Sequence, residues 1–213
     1  MATVQRVFHL TITCAEEGNL AKLAKSNPNN YLFLMPKASN DAGFAMTSSF
    51  SGMLLAALLI FDQETHLVDK KAYLDQICQA VEHLISSSNR LEKMSQLDIE
   101  RIVYLGSGPL AALSQEAQLK MLELTAGQIV AVFNSSMGFR HGPKSFINEK
   151  TLVMGFLSQN AYTRQYDLDI LEEIKSENIA AQILAIGIEG EEQFSGESIV
   201  LANSSQLPDA YAA

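Results

Sequence analysis

Short apolar runs rich in Val, Ile and Phe alternate along the chain with longer stretches of helical periodicity, a pattern typical of parallel βα units. The apolar runs predict strands at residues 7–13, 31–35, 101–105, 129–133, 152–158 and 181–186, with a weaker one at 198–201. The longer stretches predict helices at residues 16–25, 47–61, 68–93, 110–124 and 164–177. The expected fold class is therefore α/β, a three-layer αβα sandwich around a parallel sheet.

The distribution of these elements divides the chain near residue 97. The strands after that point suffice for a complete three-layer domain at residues 98–213. Within residues 67–97, the mostly polar stretch 68–93 contains neither Gly nor Pro, and it predicts a connector helix. Residues 1–66 offer only two strands, and a two-stranded parallel sheet leaves bare edges. We expect this first part to be a partial domain.

Composition indicates a folded protein and disfavours one large class of function. Of the 213 residues, 47% are hydrophobic and 18% are charged, which provides enough apolar material for a core. The net charge of -9 arises entirely after residue 166, where ten acids face a single base, Lys175. A nucleic-acid binder needs clustered Lys and Arg, so we expect no nucleic-acid partner.

Cysteine spacing and apolar run length bear on the compartment. Cys14 and Cys78 lie in no CxxC or Cys/His cluster, which predicts neither a zinc site nor a disulfide framework. The first residues lack the sustained apolar core of a signal peptide. The longest apolar run, 53–61, is far shorter than the roughly 20 residues of a membrane helix. We therefore expect a reduced, cytoplasmic protein with no membrane partner and no metal.

A Gly-rich turn follows the predicted strand at 101–105. Gly106 and Gly108 would let a ligand approach the backbone, and Pro109 suits the first position of a helix. Ser107 is a candidate for capping that helix or for holding a phosphate oxygen. The full GxGxxG fingerprint is absent, so a plain tight βα turn and an anion or sugar contact both stay open.

Glu123 is a candidate proton-shuttling base. It lies at the C-terminal end of the predicted helix 110–124, inside an apolar phrase. The negative end of the helix dipole and any burial both disfavour the charged carboxylate there, as a proton shuttle near neutral pH requires. The alternative is an exposed glutamate at a helix end with no role.

The tract 138–144, GFRHGPK, is the richest in candidate chemistry. Pro143 disfavours helical geometry at the preceding glycine and predicts the start of a short helix. His141 lies between Arg140 and Lys144, whose charges would favour a neutral ring able to exchange protons. We expect these cations, extended by Lys150, to attract an anionic substrate. A purely structural histidine is the alternative.

The order of elements predicts that Glu123 and His141 are far apart in one chain. In a right-handed βαβ unit the helix returns to the lower edge of the sheet, which places Glu123 there. His141 follows the next strand and is expected at the upper edge, about 20 Å away. If both act in one site, two subunits must supply them.

Hydroxyl groups at the starts of two other helices are further candidates. Thr47 and Ser48 open the helix predicted at 47–61, where they either cap the helix or line a phosphosugar site. Thr163 is expected to cap the helix predicted at 164–177, with acids in its first turn. That pattern is ordinary helix-start chemistry.

Five tracts give the chain a resemblance to a known family. The chain resembles the SIS (sugar isomerase) family, and within it the tagatose-6-phosphate ketose/aldose isomerase group, also described as galactosamine-6-phosphate deaminases. The tracts are DAGFAMTSS (41–49), IVYLGSG (102–108), LKMLELTAG (119–127), GFRHGPKS (138–145) and YTRQYDLD (162–169). The resemblance implies paired SIS domains, each a five-stranded parallel sheet between helices, assembled as homodimers or higher oligomers.

The resemblance also implies roles for individual residues. By similarity to the isomerase half of glucosamine-6-phosphate synthase, Glu123 matches the base that moves a proton between C1 and C2. His141 matches the ring-opening histidine, which the neighbouring subunit lends in that relative. The implied substrate is a hexose or hexosamine 6-phosphate, bound with help from Thr47, Ser48, Ser107, Arg140 and Lys144. No cofactor is expected, because a carboxylate and a histidine suffice for proton shuttling.

The chain departs from the family pattern in three places. A Ser-rich phosphate loop of the type Ser-x-Ser-Gly-x-Ser is absent, no Lys or Arg follows Lys175, and the family's last helix is not reached. We therefore expect a chain truncated at both ends, with one nearly complete SIS domain and one partial one. The alternative to an enzyme is a non-catalytic phosphosugar-binding module or an inactive remnant.

Overall fold

The computed structural model describes residues 7–86, 89–188, 192–201 and 207–212. It divides the chain into two compact units, Met1–His66 and Leu67–Ala213, which are described separately below. Within the described residues the helices are α1 (Asn19–Ser26), α2 (Ser48–Phe61), α3 (Leu67–Ser86), α4 (Asn89–Met94), α5 (Pro109–Leu124), α6 (Ser136–Arg140), α7 (Ala161–Glu177) and α8 (Asp209–Ala212). The strands are β1 (His9–Thr13), β2 (Asn30–Leu34), β3 (Arg101–Leu105), β4 (Val130–Asn134), β5 (Thr151–Leu157), β6 (Gln182–Ile188) and β7 (Glu197–Leu201).

The first unit is built on a two-stranded parallel sheet. Strands β1 and β2 pair from His9 opposite Asn30 to Thr13 opposite Leu34. Helix α1 connects them and buries only small side chains. Phe8 is 75% exposed and contributes little to a core. The interpretation of this unit as a partial domain stays a prediction.

The second unit contains a five-stranded sheet in the order β4-β3-β5-β6-β7, with every neighbouring pair parallel. It confirms the predicted α/β class. Its first helices, α3 and α4, lie where one connector helix is predicted at 68–93, and residues 87–88 between them lie outside the described residues. The weak strand predicted at 198–201 is confirmed as β7.

Successive side chains of the central strands point to opposite faces of the sheet and contribute to two separate cores. In β3, Ile102 and Tyr104 join one buried cluster, against which Met121 of α5 packs. Val103 and Leu105 point to the opposite face, as successive strand residues do, and join a second cluster with α6 and α7. Helices therefore cover both faces of the sheet, which is the predicted three-layer arrangement.

The strand order reverses at the middle of the sheet. The chain passes from β3 to β4 on one side and then returns to β5 on the other side of β3. In open α/β sheets, the crevice at the carboxyl ends of the strands beside such a reversal is the usual place for a ligand. In this unit that crevice lies between the ends of β3 and β5.

None of the helices in the described part of the chain is both long enough and apolar enough to cross a membrane. The apolar run 53–61 forms the larger part of α2, in the first unit. It is therefore a helix, as its composition predicts.

The turn between β3 and α5 leads to a first prediction. A Cβ added at Gly106 would lie 2.5 Å from the Leu110 carbonyl oxygen and 2.8 Å from Ser114 Oγ. Gly106→Ala should therefore lower the free energy of unfolding by about 2 kcal/mol, since α5 must shift away. Urea unfolding measures this cost. The control is Gly43→Ala, whose Cβ would meet nothing within 4 Å, and an equal loss in both variants would contradict the account.

Candidate active site

The polar groups at the carboxyl ends of three strands converge on Asp167 of α7. Ser107, after β3, donates its hydroxyl to Oδ1 at 2.6 Å, and Ser136, after β4, donates to the same oxygen. Ser158, after β5, donates its backbone N–H to Oδ2 at 3.0 Å. Asp167 is only 2% exposed. The Asp167 carboxylate therefore accepts the hydrogen bonds that these groups could otherwise donate to a ligand in the crevice.

Ser107 is thus bound within the chain, although it was a candidate for holding a phosphate. The glycine before it serves internal packing, because α5 and not a ligand approaches Gly106 closely. Gly108 has a φ of +57°, which favours glycine, and it begins α5 as the N-cap residue. The structure has the tight βα turn. A sugar contact at Ser107 stays a prediction.

Arg164 adds a second buried charge beside Asp167. It is 7% exposed, and it donates from Nη1 to the Ser158 carbonyl at 3.2 Å and from Nε to the Glu192 carbonyl at 2.8 Å. Burial lowers the pKa of the guanidinium, while the nearby carboxylates oppose that effect. Asp209 of α8 accepts from the Ser158 hydroxyl, which ties the chain after β5 to two helices.

The start of α7 corrects the expectation of a Thr163 cap and first-turn acids. Asn160 is the N-cap, and its side chain accepts the Thr163 N–H at 3.1 Å. Asp167 is instead buried within the helix, on the face that includes Leu171 and Ile174. The spacing of these three residues, four and then three, was the available signal that the acid belongs to the apolar face.

His141 is exposed at the C-terminus of α6, where its N–H donates to the Gly138 carbonyl at 3.3 Å. Pro143 begins a 3-10 helix that ends at Phe146, so the predicted short helix is confirmed. Together, α6 and this 3-10 helix form the return connection from the end of β4 to the start of β5. His141 therefore lies part-way along this connection, between Ser136 beside Asp167 and Phe146, whose carbonyl accepts from Arg101 at the start of β3, whereas the sequence predicted it at the upper edge of the sheet.

Glu123 and His141 are separated by the sheet itself. Met121, in the last turn of α5, packs on the cluster that includes Ile102, whereas Phe139 of α6 belongs to the cluster on the other face. Their helices thus cover opposite faces of one sheet. The element order predicts opposite edges about 20 Å apart, and that distance stays a prediction.

The two cations beside His141 are paired with acids of α7. Arg140 Nε lies 2.9 Å from Glu173 Oε2, in an ion pair without a directed hydrogen bond. Lys144 Nζ contacts the other oxygen of Glu173 and lies 2.5 Å from Glu177 Oε1. These carboxylates, mainly that of Glu173, raise the pKa of Lys144. The expectation of two cations free to attract an anion is therefore not met.

Lys150 does not extend that pair of cations. It precedes β5, and its Nζ lies 2.6 Å from Glu100 Oε1 and 3.5 Å from Asp98 Oδ2. Both acids precede β3, so this cluster lies at the amino edge of the sheet. The prediction that Lys150 joins Arg140 and Lys144 rested on closeness in sequence and is wrong, because Lys150 lies directly before the next strand, β5.

Glu123 has a charged partner that the sequence analysis missed. Lys120, three residues earlier on α5, donates from Nζ to Oε2 at 2.7 Å, and Glu116 lies 3.7 Å from the same nitrogen. The Glu123 hydrogen bond raises the pKa of Lys120. The Glu123 side chain is 31% exposed, so it is not deeply buried. A lysine at i−3 on a helix was a readable signal of this contact.

Thr47 and Ser48 belong to the first unit, where Asp41 caps α2. Asp41 accepts the N–H groups of Ser48 at 3.0 Å and Ser49 at 2.8 Å, together with the Ser49 hydroxyl at 2.6 Å. Thr47 is the N-cap residue, but its side chain makes no capping hydrogen bond. The expectation that the Thr47 and Ser48 hydroxyls cap this helix is therefore wrong, because the Asp41 carboxylate accepts the free N–H groups instead. A phosphosugar contact here stays a prediction.

In the part of the chain that the structure describes, no group of three or more His, Cys, Asp or Glu side chains is arranged to hold a metal ion.

Most of the second unit matches a known protein family. A model of the SIS domain family matches residues 97–205, slightly more than half of the chain. The chain belongs to the SIS domain family. The matched SIS segment contains Ser107, Glu123, Arg140, His141 and Lys144.

Individual relatives extend this SIS match to nearly the whole chain. D-galactosamine-6-phosphate deaminase AgaS of Shewanella sp. is 42% identical over 196 residues, which is 92% of this chain and 48% of the relative. The Escherichia coli protein of that name is 40% identical over 209 residues, 97% of this chain and 54% of the relative. The crystal structure of tagatose-6-phosphate ketose/aldose isomerase from E. coli has a TM-score of 0.86 at 38% identity, over 96% of this chain and 55% of that one. The SIS chain thus spans about half the length of the relatives it matches.

The cap of α2 leads to a second prediction. Hydrogen bonds, chiefly that of the Ser49 side chain, lower the pKa of Asp41 from 3.8 to about 2. A depressed pKa means that the cap stabilises the folded chain above about pH 4 and that this stabilisation is lost as the pH falls towards 2. Asp41→Asn should therefore lower the melting temperature near pH 6, and the difference from wild type should shrink in acid. Exposed Glu64, changed to Gln, is the control. A pH-independent difference would contradict this account.

The buried carboxylate leads to a third prediction. Asp167→Ala leaves the Ser107 and Ser136 hydroxyls and the Ser158 N–H without their acceptor. Unfolding should become easier by about 3 kcal/mol, since buried hydrogen bonds to a charged group are lost. Denaturant titration measures the change.

Asp169→Ala is the matched control, because Asp169 is an exposed acid of the same helix. Its cost should stay within about 0.5 kcal/mol. Equal costs at the two positions would show that the Asp167 contacts add nothing.

Proposed function

We propose that the chain is the greater part of the catalytic machinery of an aldose-ketose isomerase or isomerising deaminase acting on a hexose or hexosamine 6-phosphate, such as tagatose 6-phosphate or galactosamine 6-phosphate. The names of the relatives support the substrate class. One observation carries the chemistry. Glu123 is a partly exposed carboxylate, held beside the Lys120 ammonium in the last turn of an SIS helix.

Written from the aldose side, the proposed reaction begins with ring opening, and a ketose such as tagatose 6-phosphate follows the same steps in reverse. The His141 side chain mediates transfer of the C1 hydroxyl proton to the ring oxygen, and the bond between C1 and that oxygen breaks to give the open-chain aldehyde. The Glu123 carboxylate then takes the proton from C2 while the C1 carbonyl oxygen gains one, which forms an enediol or, with an amino group at C2, an enolamine. Proton transfer of this kind needs a positioned base within hydrogen-bond reach of its substrate.

The second half of the reaction returns the proton to C1. When C2 carries a hydroxyl, that hydroxyl loses its proton and the product is the ketose. When C2 carries an amino group, the product is an imine, and water hydrolyses it to the ketone with release of ammonia. The ammonium of Lys120 donates a hydrogen bond to Glu123 Oε2 at 2.7 Å, which fixes the position of the carboxylate.

We further propose that each site combines two chains. Glu123 and His141 lie on helices that cover opposite faces of the sheet. In this proposal, His141 of a second copy of the chain lies beside Glu123 of the first. The expected assembly is a closed homodimer or a higher oligomer. Substrate binding remains a prediction for five further residues: Thr47, Ser48, Ser107, Arg140 and Lys144. Their side chains or neighbouring N–H groups already have partners within the chain, and a substrate would have to replace or share those partners.

A non-catalytic phosphosugar-binding module, or an inactive remnant, is the second candidate. One observation favours it. The donors at the strand reversal and at the start of α2 are bound to Asp167 and Asp41 within the chain.

The fourth prediction tests the base. Glu123→Gln should lower kcat for galactosamine 6-phosphate or tagatose 6-phosphate at least about 100-fold with little change in KM, because the base is lost and the shape kept. Ammonia release from galactosamine 6-phosphate, or aldose formation from tagatose 6-phosphate, measures turnover. Glu116→Gln is the control on the same helix, with an expected change of less than about twofold. Unchanged turnover in Glu123→Gln contradicts the catalytic assignment.

The shared site is tested by mixing two inactive chains. Co-expressed Glu123→Gln and His141→Ala chains should regain up to about a quarter of wild-type turnover, since half of random dimers are hybrids with one intact site. No recovery contradicts a shared site. If the wild-type chain binds a phosphosugar without turning it over, the binding module is correct, and if it does neither, the remnant is correct.

A further inference from the structure

The return connection between β4 and β5 lies alongside α7 and contacts it at three successive levels. Ser136, at the start of α6, donates to Asp167. Arg140, at the end of α6, forms an ion pair with Glu173. Lys144, in the 3-10 helix, contacts both Glu173 and the last residue of α7. Residues later in the connection contact residues later in α7, so the connection is attached to this helix at several points along its length.

This attachment compensates for a connection with little stability of its own. Helix α6 has only five residues, too few to be stable in isolation. Gly138 lies within it, and Gly142, immediately after His141, has a φ of +141°. Glycine at these positions adds conformational freedom to the unfolded chain. The orientation of His141 therefore depends on contacts with α7.

Glu173 is the central contact. Its Oε2 faces Arg140 and its Oε1 faces Lys144, the two residues that flank His141. All three side chains are partly buried, with 33%, 29% and 22% of their surfaces exposed. The Lys144 hydrogen bond, with Arg140 adding to it, lowers the pKa of the Glu173 carboxyl, so its charge is retained near neutral pH. One carboxylate thus attaches the chain on both sides of the histidine.

We propose that Glu173 is a positioning residue that holds the His141 tract, 138–146, in the geometry needed for ring opening. The inference rests on the proposed role of His141. It also gives Arg140 and Lys144 a structural role, because their ion pairs attach this tract to α7.

Hydrogen exchange tests the attachment directly. Backbone N–H groups of Phe139, His141, Ser145 and Ile147 make hydrogen bonds in which the donor or the acceptor belongs to the tract, so their exchange reports its local opening. Glu173→Gln should accelerate exchange of these amides about fivefold, because a partly exposed network of two ion pairs is lost. The matched control is Glu172→Gln, a half-buried neighbour that accepts from Ser195 on another segment. Equal exchange in the two variants overturns the proposal.

Kinetics provide the second readout. Glu173→Gln should lower kcat for a phosphosugar supplied in its ring form by about tenfold while KM stays within about twofold, because the substrate contacts are intact and the histidine is misplaced. Glu172→Gln should leave both constants unchanged. A rise in KM with unchanged kcat would instead assign Arg140 and Lys144 to substrate binding and overturn the proposal.

The two readouts separate this inference from the proposed function. If Glu173→Gln accelerates exchange while His141→Ala has no effect on turnover, the attachment exists but the tract is not catalytic, and the positioning role is overturned together with the function of His141. If His141→Ala abolishes turnover and Glu173→Gln changes neither exchange nor kcat, only the positioning role is overturned.

Discussion

The buried carboxylate of Asp167 is the contact on which the second unit depends most. A buried charge needs hydrogen-bond donors, and three segments that follow β3, β4 and β5 provide them. These strands are adjacent in the sheet but are separated along the chain by α5 and the α6 connection. By binding all three, one side chain of α7 determines where each connection leaves the sheet. It also occupies the crevice at the strand reversal, so the chemistry of this unit is expected elsewhere.

Helix α7 extends this control towards the histidine. Its Asp167 binds the start of α6, and its later acid Glu173 binds the residues on either side of His141. On the opposite face of the sheet, Glu123 is held by Lys120 of its own helix. The two candidate catalytic groups are therefore each placed by local charge pairs, and the sheet separates them. The proposed site, formed from two copies of the chain, is one arrangement that would bring these two groups together.

Much of the fold could be predicted because it depends on local pattern. Short apolar runs predicted every strand described in the second unit, including the weaker β7. The site was harder, since its partners are far apart in sequence: Ser107 and Asp167 are separated by 60 residues, and Lys144 and Glu173 by 29. Such pairs become visible only when the packing of α7 is known. The contact between Lys120 and Glu123 was different, because its helical spacing could be read directly.

Proton transfer between C1 and C2 by Glu123 is the central claim, and deuterium incorporation tests it most directly. The chain would be incubated with tagatose 6-phosphate in deuterium oxide, and proton NMR would follow the signals at C1 and C2. A carboxylate that exchanges its proton with solvent before returning it should introduce deuterium at these carbons with the wild-type chain and not with Glu123→Gln. Incorporation at the same rate in both would contradict the account.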